Sequence, residues 1–289
     1  MKSISSMCFG CEPLGGNDWG DVNVNTIKNA IYKALDLGVN SFDTAGVYGL
    51  GLSETRLSKI LGNHRRDVVI ATKGGLSWNK NDSGRNIIVK NSSPSAIRND
   101  VESSLRRLKL ETLPIFFVHW PDNNTPIEDT FIELLKLKNE GKIQSIGCSN
   151  FSAQQLNIAC SVSQVDYIQV PLNILDGALD RNISEICTKN KIKVIAYNVL
   201  LYGLLTGKFN YSSNFPKNDR RSRLLMFKGF NFINTIEKID VLKLKAAEDN
   251  TSLTHYVINW ALKQDNVSTV VTGIKNSKQV VDNFSISNN

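Results

Sequence analysis

Eight short runs of β-branched and aromatic residues recur along this chain, each followed by a helix-like pattern. They are SMCFG (6–10), VNSFDT (39–44), DVVIATK (67–73), LPIFFVHW (113–120), IQSIGCS (143–149), VDYIQV (165–170), KVIAY (193–197) and VSTVVTG (267–273). The runs are almost continuously apolar instead of alternating, as strands covered on both faces are. Such strands, separated by helices, build parallel sheets. No GxGxxG follows the first run, which disfavours a doubly wound dinucleotide-binding sheet. The prediction is an α/β fold of the closed (β/α)8 kind, a TIM barrel. Its 289 residues suit one such barrel, and without a linker or internal repeat residues 1–289 read as a single domain.

Helix boundaries are legible in local chemistry. Thr125-Pro126 with Glu128 has the pattern of a capping box with Pro in the first turn, and Ser152 with Gln155 and Asn276 with Gln279 repeat its logic. Ser93-Pro94 opens a helix that places Ile97, Val101, Leu105 and Leu108 on one face. Gly38 and Gly141 stand where helix C-caps belong. Residues 79–93 and 210–231 read as long loops after strands, so both should overhang the C-terminal mouth, where barrel active sites lie.

Composition narrows the partners. With 41% hydrophobic and 21% charged residues the chain has the make-up of a globular protein with a sizeable core. No apolar run approaches the roughly 20 residues that span a bilayer. The N-terminus MKSISSMCFGCEPLGG lacks the apolar centre of a secretory signal, so a cytoplasmic protein is expected. The formal charge of +7 is dispersed, and its densest groups, RRLK at 106–109 and DRRSR at 219–223, have no interleaved aromatics. Nucleic acid is therefore not an expected partner, whereas a phosphate-bearing small molecule needs only one or two cations. The five cysteines are an odd set; CFGC (8–11) lacks the helix that activates a redox CxxC, and reduced thiols are expected. The three histidines lie far apart without ligand spacing, so no metal site is expected.

In a parallel barrel the strand C-termini converge. Here they carry Asp43, Lys73, His119, Ser149-Asn150, Gln169 and Tyr197. Any one of these would ordinarily be a satisfied polar strand end; the whole set together points to a site. A buried lysine needs a partner, and Asp43 on the neighbouring strand supplies one. Tyr48 follows one helical turn after Asp43. A free phenol titrates near pH ~10, and a neighbouring ammonium should lower that value and make Tyr48 a usable acid. His119 could then hydrogen-bond a substrate carbonyl oxygen.

The motifs FDTAGVYGLGLSE, IATKGGLSW, FFVHWPD, GKIQSIGCSNFS, YIQVPLNILD, GLLTGKF and GIKNSKQVVDNF occur in an order and spacing that resembles the aldo-keto reductase superfamily, in particular its bacterial branch of inositol-operon reductase-like proteins, over about residues 7–284. The resemblance implies metal-free hydride transfer between NADPH and a small-molecule aldehyde or ketone. It makes Asp43, Tyr48, Lys73 and His119 the catalytic tetrad, with Tyr48 the acid in reduction. Ser149, Asn150 and Gln169 would hold the nicotinamide carboxamide, with Tyr197 stacked on the ring. Leu200, Lys208 and Arg221 would lie along the pyrophosphate, Asn198 in a turn that faces the cofactor, and Gly273, Lys275, Gln279, Asp282 and Asn283 at the adenosine. Lys275 would contact a 2′-phosphate, which favours NADPH and leaves NADH open.

The chain departs from the family pattern in three places. YNVL (197–200) replaces the usual Ser-Pro with Asn198 and Val199. The N-terminal hairpin is expected to be minimal and the C-terminal tail truncated. An open mouth suited to a bulky carbonyl, such as a sugar derivative, follows from the short tail. Trp19, Trp78 and Trp120 come just after strand ends and are expected to line the substrate pocket. Two other classes compete with the reductase. One is a non-catalytic or very slow cofactor-binding regulator on the same fold; the other is a barrel lyase or isomerase, which the nicotinamide-binding residues disfavour. The substrate and the oligomeric state stay open.

Overall fold

A computed structural model describes residues 3–16, 18–80 and 86–285. Eight parallel strands close into a barrel: β1 (Met7–Gly10), β2 (Ser41–Asp43), β3 (Val69–Gly74), β6 (Leu113–Val118), β7 (Ile143–Ser149), β8 (Tyr167–Pro171), β9 (Lys193–Tyr197) and β10 (Val267–Gly273). All eight apolar runs are barrel strands. Their order follows the chain, and β1 pairs with both β2 and β10 to complete the ring. Helices α1 (Val24–Asp36), α2 (Leu52–Leu61), α3 (Pro94–Leu108), α4 (Ile127–Asn139), α5 (Ala153–Val162), α6 (Arg181–Asn190), α7 (Gly229–Glu248), α8 (Leu253–Leu262) and α9 (Ser277–Phe284) lie between and after the strands. Among the described residues no helix is long and apolar enough to cross a membrane.

The pleat sorts each strand's residues between two cores. Cys8, Val69, Ala71, Ile115, Phe117, Tyr167, Ile195 and Val271 fill the barrel interior, with Ile4 packed against them. The alternate positions, among them Phe9, Phe42, Ile70, Phe116, Ile146, Ile168 and Val194, join the larger core beneath the helices. Residues 3–6, ahead of β1, form no hairpin. Gly147 is a packing requirement: a Cβ there would overlap the ring of Phe117, so the missing side chain makes room for the phenyl group inside the barrel.

Most predicted boundaries hold. Ser152 and Gln155 form a reciprocal capping box, and Ser93 caps α3, whose Ile97, Val101 and Leu108 are buried. Gly38 and Gly141 adopt φ of +79° and +76°, which β-carbon-bearing residues disfavour. The Thr125–Glu128 box does not form. Thr125 Oγ1 donates instead to Asp122 Oδ2 at 2.8 Å, and α4 begins after Pro126 without a side-chain cap. Asp122 also accepts the backbone N–H of Ser92 at 3.1 Å, so the tertiary partner outcompetes the local cap. Residues 79–93 are not simply a loop either. Antiparallel strands β4 (Leu76–Lys80) and β5 (Asn86–Lys90) form a hairpin after β3, with residues 81–85 outside the described set. The exposure of Ile87, Ile88 and Val89 explains why no burial pattern announced it.

Candidate active site

One phase of the pleat that fills the barrel also builds the site. Two residues beyond the last interior side chain of a strand comes a position at the mouth. Ala71 leads to Lys73, Phe117 to His119, Tyr167 to Gln169 and Ile195 to Tyr197. Period-two alternation therefore aims these groups at a common point.

Asp43 and Lys73 end adjacent strands and are buried. Lys73 Nζ donates to Asp43 Oδ1 at 2.6 Å, to Oδ2 at 2.8 Å and to the Thr44 carbonyl at 2.9 Å. Gln169, from the far side of the barrel, donates its Nε2 to Asp43 Oδ2 at 2.8 Å. The buried pair is thus fully hydrogen-bonded, the condition under which such a pair is tolerated. Lys73 Nζ lies 5.1 Å from the centroid of the Tyr48 ring. The Tyr48 ring meets His119 edge-on, with centroids 5.8 Å apart. The four residues named from sequence form one cluster.

The electrostatics of that cluster correct the expected direction for Tyr48. Its hydroxyl is held well above the usual phenol value, first by burial and then by the Glu12 and Asp43 carboxylates, with Arg220 pulling the other way. Lys73 does not prevail because its charge is already compensated by Asp43. His119 is pushed well below its ordinary value by burial and by Lys73, so it stands as a neutral imidazole.

Beside the cluster, Asn150 adopts φ +62°, which Asn tolerates better than most residues. Its Nδ2 donates to the His119 carbonyl at 3.0 Å and to Ser149 Oγ at 3.1 Å, while its Oδ1 accepts the Tyr197 hydroxyl at 2.6 Å. Asn198 in the YNVL turn has φ +58°. That left-handed backbone gives a local reason for Asn at this position.

A cavity of about 1100 Å³ runs from Asp43, Tyr48 and His119 past these residues to the start of α9. Ser149, Asn150, Gln169, Tyr197, Asn198, Leu200, Lys208, Arg221, Gly273, Lys275, Gln279, Asp282 and Asn283 all line it. Lys73 lies beneath the wall, behind Asp43. Trp19 and Trp120 are on the wall, but Trp78 is not: it sits in β4, paired across the hairpin with Ile88. The hairpin turns Trp78 away from its predicted place, while Lys90 of β5 lies 4.9 Å over the Trp120 ring.

The distal end is cationic. Lys208 and Lys275 both have lowered pKa values, chiefly through burial and then through Arg221. Arg221 is held by Asp219, Nε to Oδ1 at 2.9 Å. Asn276 caps α9 by accepting the Gln279 N–H at 2.9 Å, but Gln279 Oε1 accepts the Lys275 N–H at 2.7 Å, so only half of the expected box forms. Asp282 pairs with Lys278 at 2.8 Å. Four polar atoms of cavity-wall residues, Trp19 Nε1, His119 Nδ1, His255 Nε2 and Thr272 Oγ1, are buried without a hydrogen-bond partner among the described residues. Unpaired buried polar atoms beside a cluster of cations fit an elongated, phosphate-bearing ligand.

Sequence reasoning missed Glu12, Arg220 and Tyr202, all on the wall. Glu12 Oε1 accepts from Arg220 Nη2 at 2.5 Å, and the Arg220 guanidinium lies 5.0 Å over the Trp19 ring. The signal for Glu12 was available: it stands two residues past Gly10, in phase with Cys8. Strand β1 ends in a glycine, so no polar strand end pointed to Glu12.

A (β/α)8 barrel whose mouth joins an aspartate-held lysine to a half-buried tyrosine and histidine, and opens into a roomy cationic cleft, has the architecture of a nicotinamide-dependent carbonyl oxidoreductase. The chain belongs to the aldo/keto reductase family, whose family model matches residues 6–289. It is similar to Aldo-keto reductase YhdN of Bacillus subtilis (strain 168), 31% identical over 279 residues that cover 96% of this chain and 83% of that protein. The NADH-specific methylglyoxal reductase of Escherichia coli (strain K12) is 31% identical over 297 residues, 99% of this chain and 90% of its own length. Among solved structures, the glycerol dehydrogenase AKR11B4 from Gluconobacter oxydans superposes with a TM-score of 0.88 at 35% identity, covering 99% of this chain and 87% of that one.

Proposed function

We propose that this protein uses NADPH to reduce an aldehyde or ketone, of which a sugar-derived carbonyl is one fitting class, with Tyr48 donating the proton. The observation that carries the reading is the Asp43–Lys73–Tyr48–His119 cluster: the buried Asp43–Lys73 pair beside half-buried Tyr48 and His119, with Asp43, Tyr48 and His119 on the wall of the cationic cavity. When bound, the dihydronicotinamide supplies a hydride to the carbonyl carbon. Tyr48, protonated throughout the physiological range, gives its proton to the carbonyl oxygen. Lys73, held in place by Asp43, then stabilises the phenolate that remains. His119, neutral, donates a hydrogen bond that orients the same oxygen.

The remaining wall residues bind and position. Ser149, Asn150 and the amide oxygen of Gln169 hold the carboxamide, and the Tyr197 ring, fixed through its hydroxyl to Asn150, sets the face presented to substrate. Asn198 and Leu200 offer backbone groups, and Lys208 and Arg221 positive charge, to the pyrophosphate. Gly273, Gln279, Asp282 and Asn283 accommodate the adenosine. Lys275 is the cation assigned to a 2′-phosphate, the basis for preferring NADPH to NADH. Trp19 and Trp120 form the substrate wall.

Substitution of Tyr48 by Phe tests the assignment. The variant should lose about 10²- to 10⁴-fold in kcat while retaining NADPH binding, measured by nucleotide fluorescence. Undiminished turnover in a folded Tyr48→Phe protein would remove Tyr48 from its role.

A further inference from the structure

Asp43 and Lys73 lie on barrel strands and His119 directly follows one, but Tyr48 rides on a run of turns between β2 and α2. No strand ladder fixes it. The turns are closed by the Tyr48 N–H, which donates to the Ala45 carbonyl at 3.1 Å, and by the Leu50 N–H, which donates to the Val47 carbonyl at 3.1 Å. The rest of the restraint on the phenol comes from what packs around them. On one side is the turn at Gly15, where a Cβ would fall 2.8 Å from the Tyr48 carbonyl carbon and 2.8 Å from the Gly49 nitrogen. Another neighbour is Arg107, from the last turn of α3. A Cβ on Gly51 would fall 2.8 Å from Arg107 Cδ and 3.2 Å from its Nε, and one on Gly46 would fall 3.2 Å from its Nη2. The arginine side chain therefore lies against the backbone two residues before Tyr48 and three residues after it, and the two glycines admit it that closely.

Arg107 is itself held. Its Nε donates to Glu54 Oε2 at 2.5 Å, and its Nη2 donates to Ser104 Oγ at 3.4 Å. Glu54, in the first turn of α2, is completely buried, and its other oxygen accepts Thr72 Oγ1 at 2.6 Å. Thr72 immediately precedes Lys73 on β3, and the Lys73 carbonyl accepts the Gly46 N–H at 3.2 Å. One ion pair thus ties the turns that carry Tyr48 to α2, to α3 and to the strand that carries Lys73. Neither Glu54 nor Arg107 is on the cavity wall, so neither touches nucleotide or substrate. A buried ion pair is often no more stabilising than apolar residues of the same volume. We propose that Arg107, oriented by Glu54, is a positioning residue that acts through Tyr48: it holds the turns so that the hydroxyl stays within reach of the substrate oxygen and of Lys73. The proposal rests on the Tyr48 assignment above. Misplacing a reacting group by about 1 Å can cost about a hundredfold in rate, so a prop outside the cavity is enough to change turnover. A lysine would not replace it, because its point charge cannot both meet Glu54 and fill the space against Gly46.

The test compares wild type, Arg107→Met, Tyr48→Phe and the double variant Tyr48→Phe/Arg107→Met, each shown to be folded by thermal melt. NADPH affinity is read by nucleotide fluorescence, and the chemical step by the single-turnover rate of NADPH oxidation with 4-nitrobenzaldehyde. In Arg107→Met that rate should fall by about tenfold to a hundredfold, with the NADPH Kd unchanged within about twofold. In the Tyr48→Phe background the same substitution should change the residual rate by less than about twofold, because a residue that acts through Tyr48 then has nothing to position. Loss of a merely structural support would lower both rates by the same factor. Removing Arg107 leaves Glu54 buried without its cation. Should Arg107→Met not fold for that reason, Glu54→Gln/Arg107→Met removes both charges, keeps an acceptor for Thr72 and gives the same readout. A folded variant that keeps the wild-type rate, that loses the same factor in both backgrounds, or that binds NADPH more weakly in proportion to its rate overturns the proposal. An inactive wild type, or an undiminished rate in Tyr48→Phe, overturns the underlying function instead.

Discussion

At the scale of single residues, the protein places ionisable groups where burial and neighbours decide their charge. Asp100 on α3 shows this outside the mouth. Its Oδ2 accepts the Gly75 N–H at 2.8 Å just past the end of β3, and burial holds its pKa up at about 6. The folded state therefore binds this proton more tightly than the unfolded state. Asp100's contribution is fully present below the unfolded value of about 4 and is lost as pH rises through about 6. Asp100→Asn keeps an amide oxygen for Gly75 and removes the ionisation. Relative to wild type it should be more stable near pH 7.5 and show a flatter slope between about pH 4 and pH 6 in urea unfolding. A variant less stable than wild type at the higher pH would show that the charge is compensated, not tolerated. Asp100 gave no signal in sequence, because its environment is made by Gly74, Phe116 and Glu54 from other elements.

At the scale of elements, the strands were legible because burial on both faces leaves continuous apolar runs, and the site followed because their polar ends share a phase of the pleat. The failures came where two elements compete for the same groups. Thr125 turned to Asp122 and gave up the helix cap, and the 79–93 segment paired with itself and carried Trp78 off the cavity. Packing between β6 and β7 yields a further expectation. Gly147→Ala would drive a methyl group into the Phe117 ring within the barrel, where neither strand can retreat without disturbing its other neighbour. The substitution should cost about 1–3 kcal/mol, read as a lower denaturant midpoint with an unchanged m-value. A simultaneous Phe117→Leu should recover part of the loss; no recovery would place the strain elsewhere.

At the scale of the whole molecule, β9, β10, α9 and the segment before α7 bring Lys208, Arg221 and Lys275 together although they are far apart in sequence. Asp219 is the carboxylate that answers them, through Arg221. Burial first, and then the charge of Arg221, hold both lysines below their ordinary values, and an anionic ligand should relieve both. NADPH at about one hundred times its Kd should therefore stabilise the fold by about 2.7 kcal/mol, a shift of a few degrees in Tm. The increment should shrink with added salt. Lys275→Met should reduce the shift with NADPH more than the shift with NADH; equal reductions would detach Lys275 from the 2′-phosphate.

What the sequence determined by itself was periodic and local: eight doubly buried strands, the residues at their ends, and the caps whose partners lie within one turn. Those features follow from backbone geometry and from the spacing of apolar side chains, which any reader of the chain can count. Tertiary structure alone decided that the turn at Gly15 packs against the backbone of Tyr48 and Gly49, that Asp43 is shared by Lys73 and Gln169, and that the tyrosine is harder to ionise, not easier. Each of these depends on distances between segments separated by tens of residues or more, and on how much water the folded walls exclude, quantities that no local spacing contains.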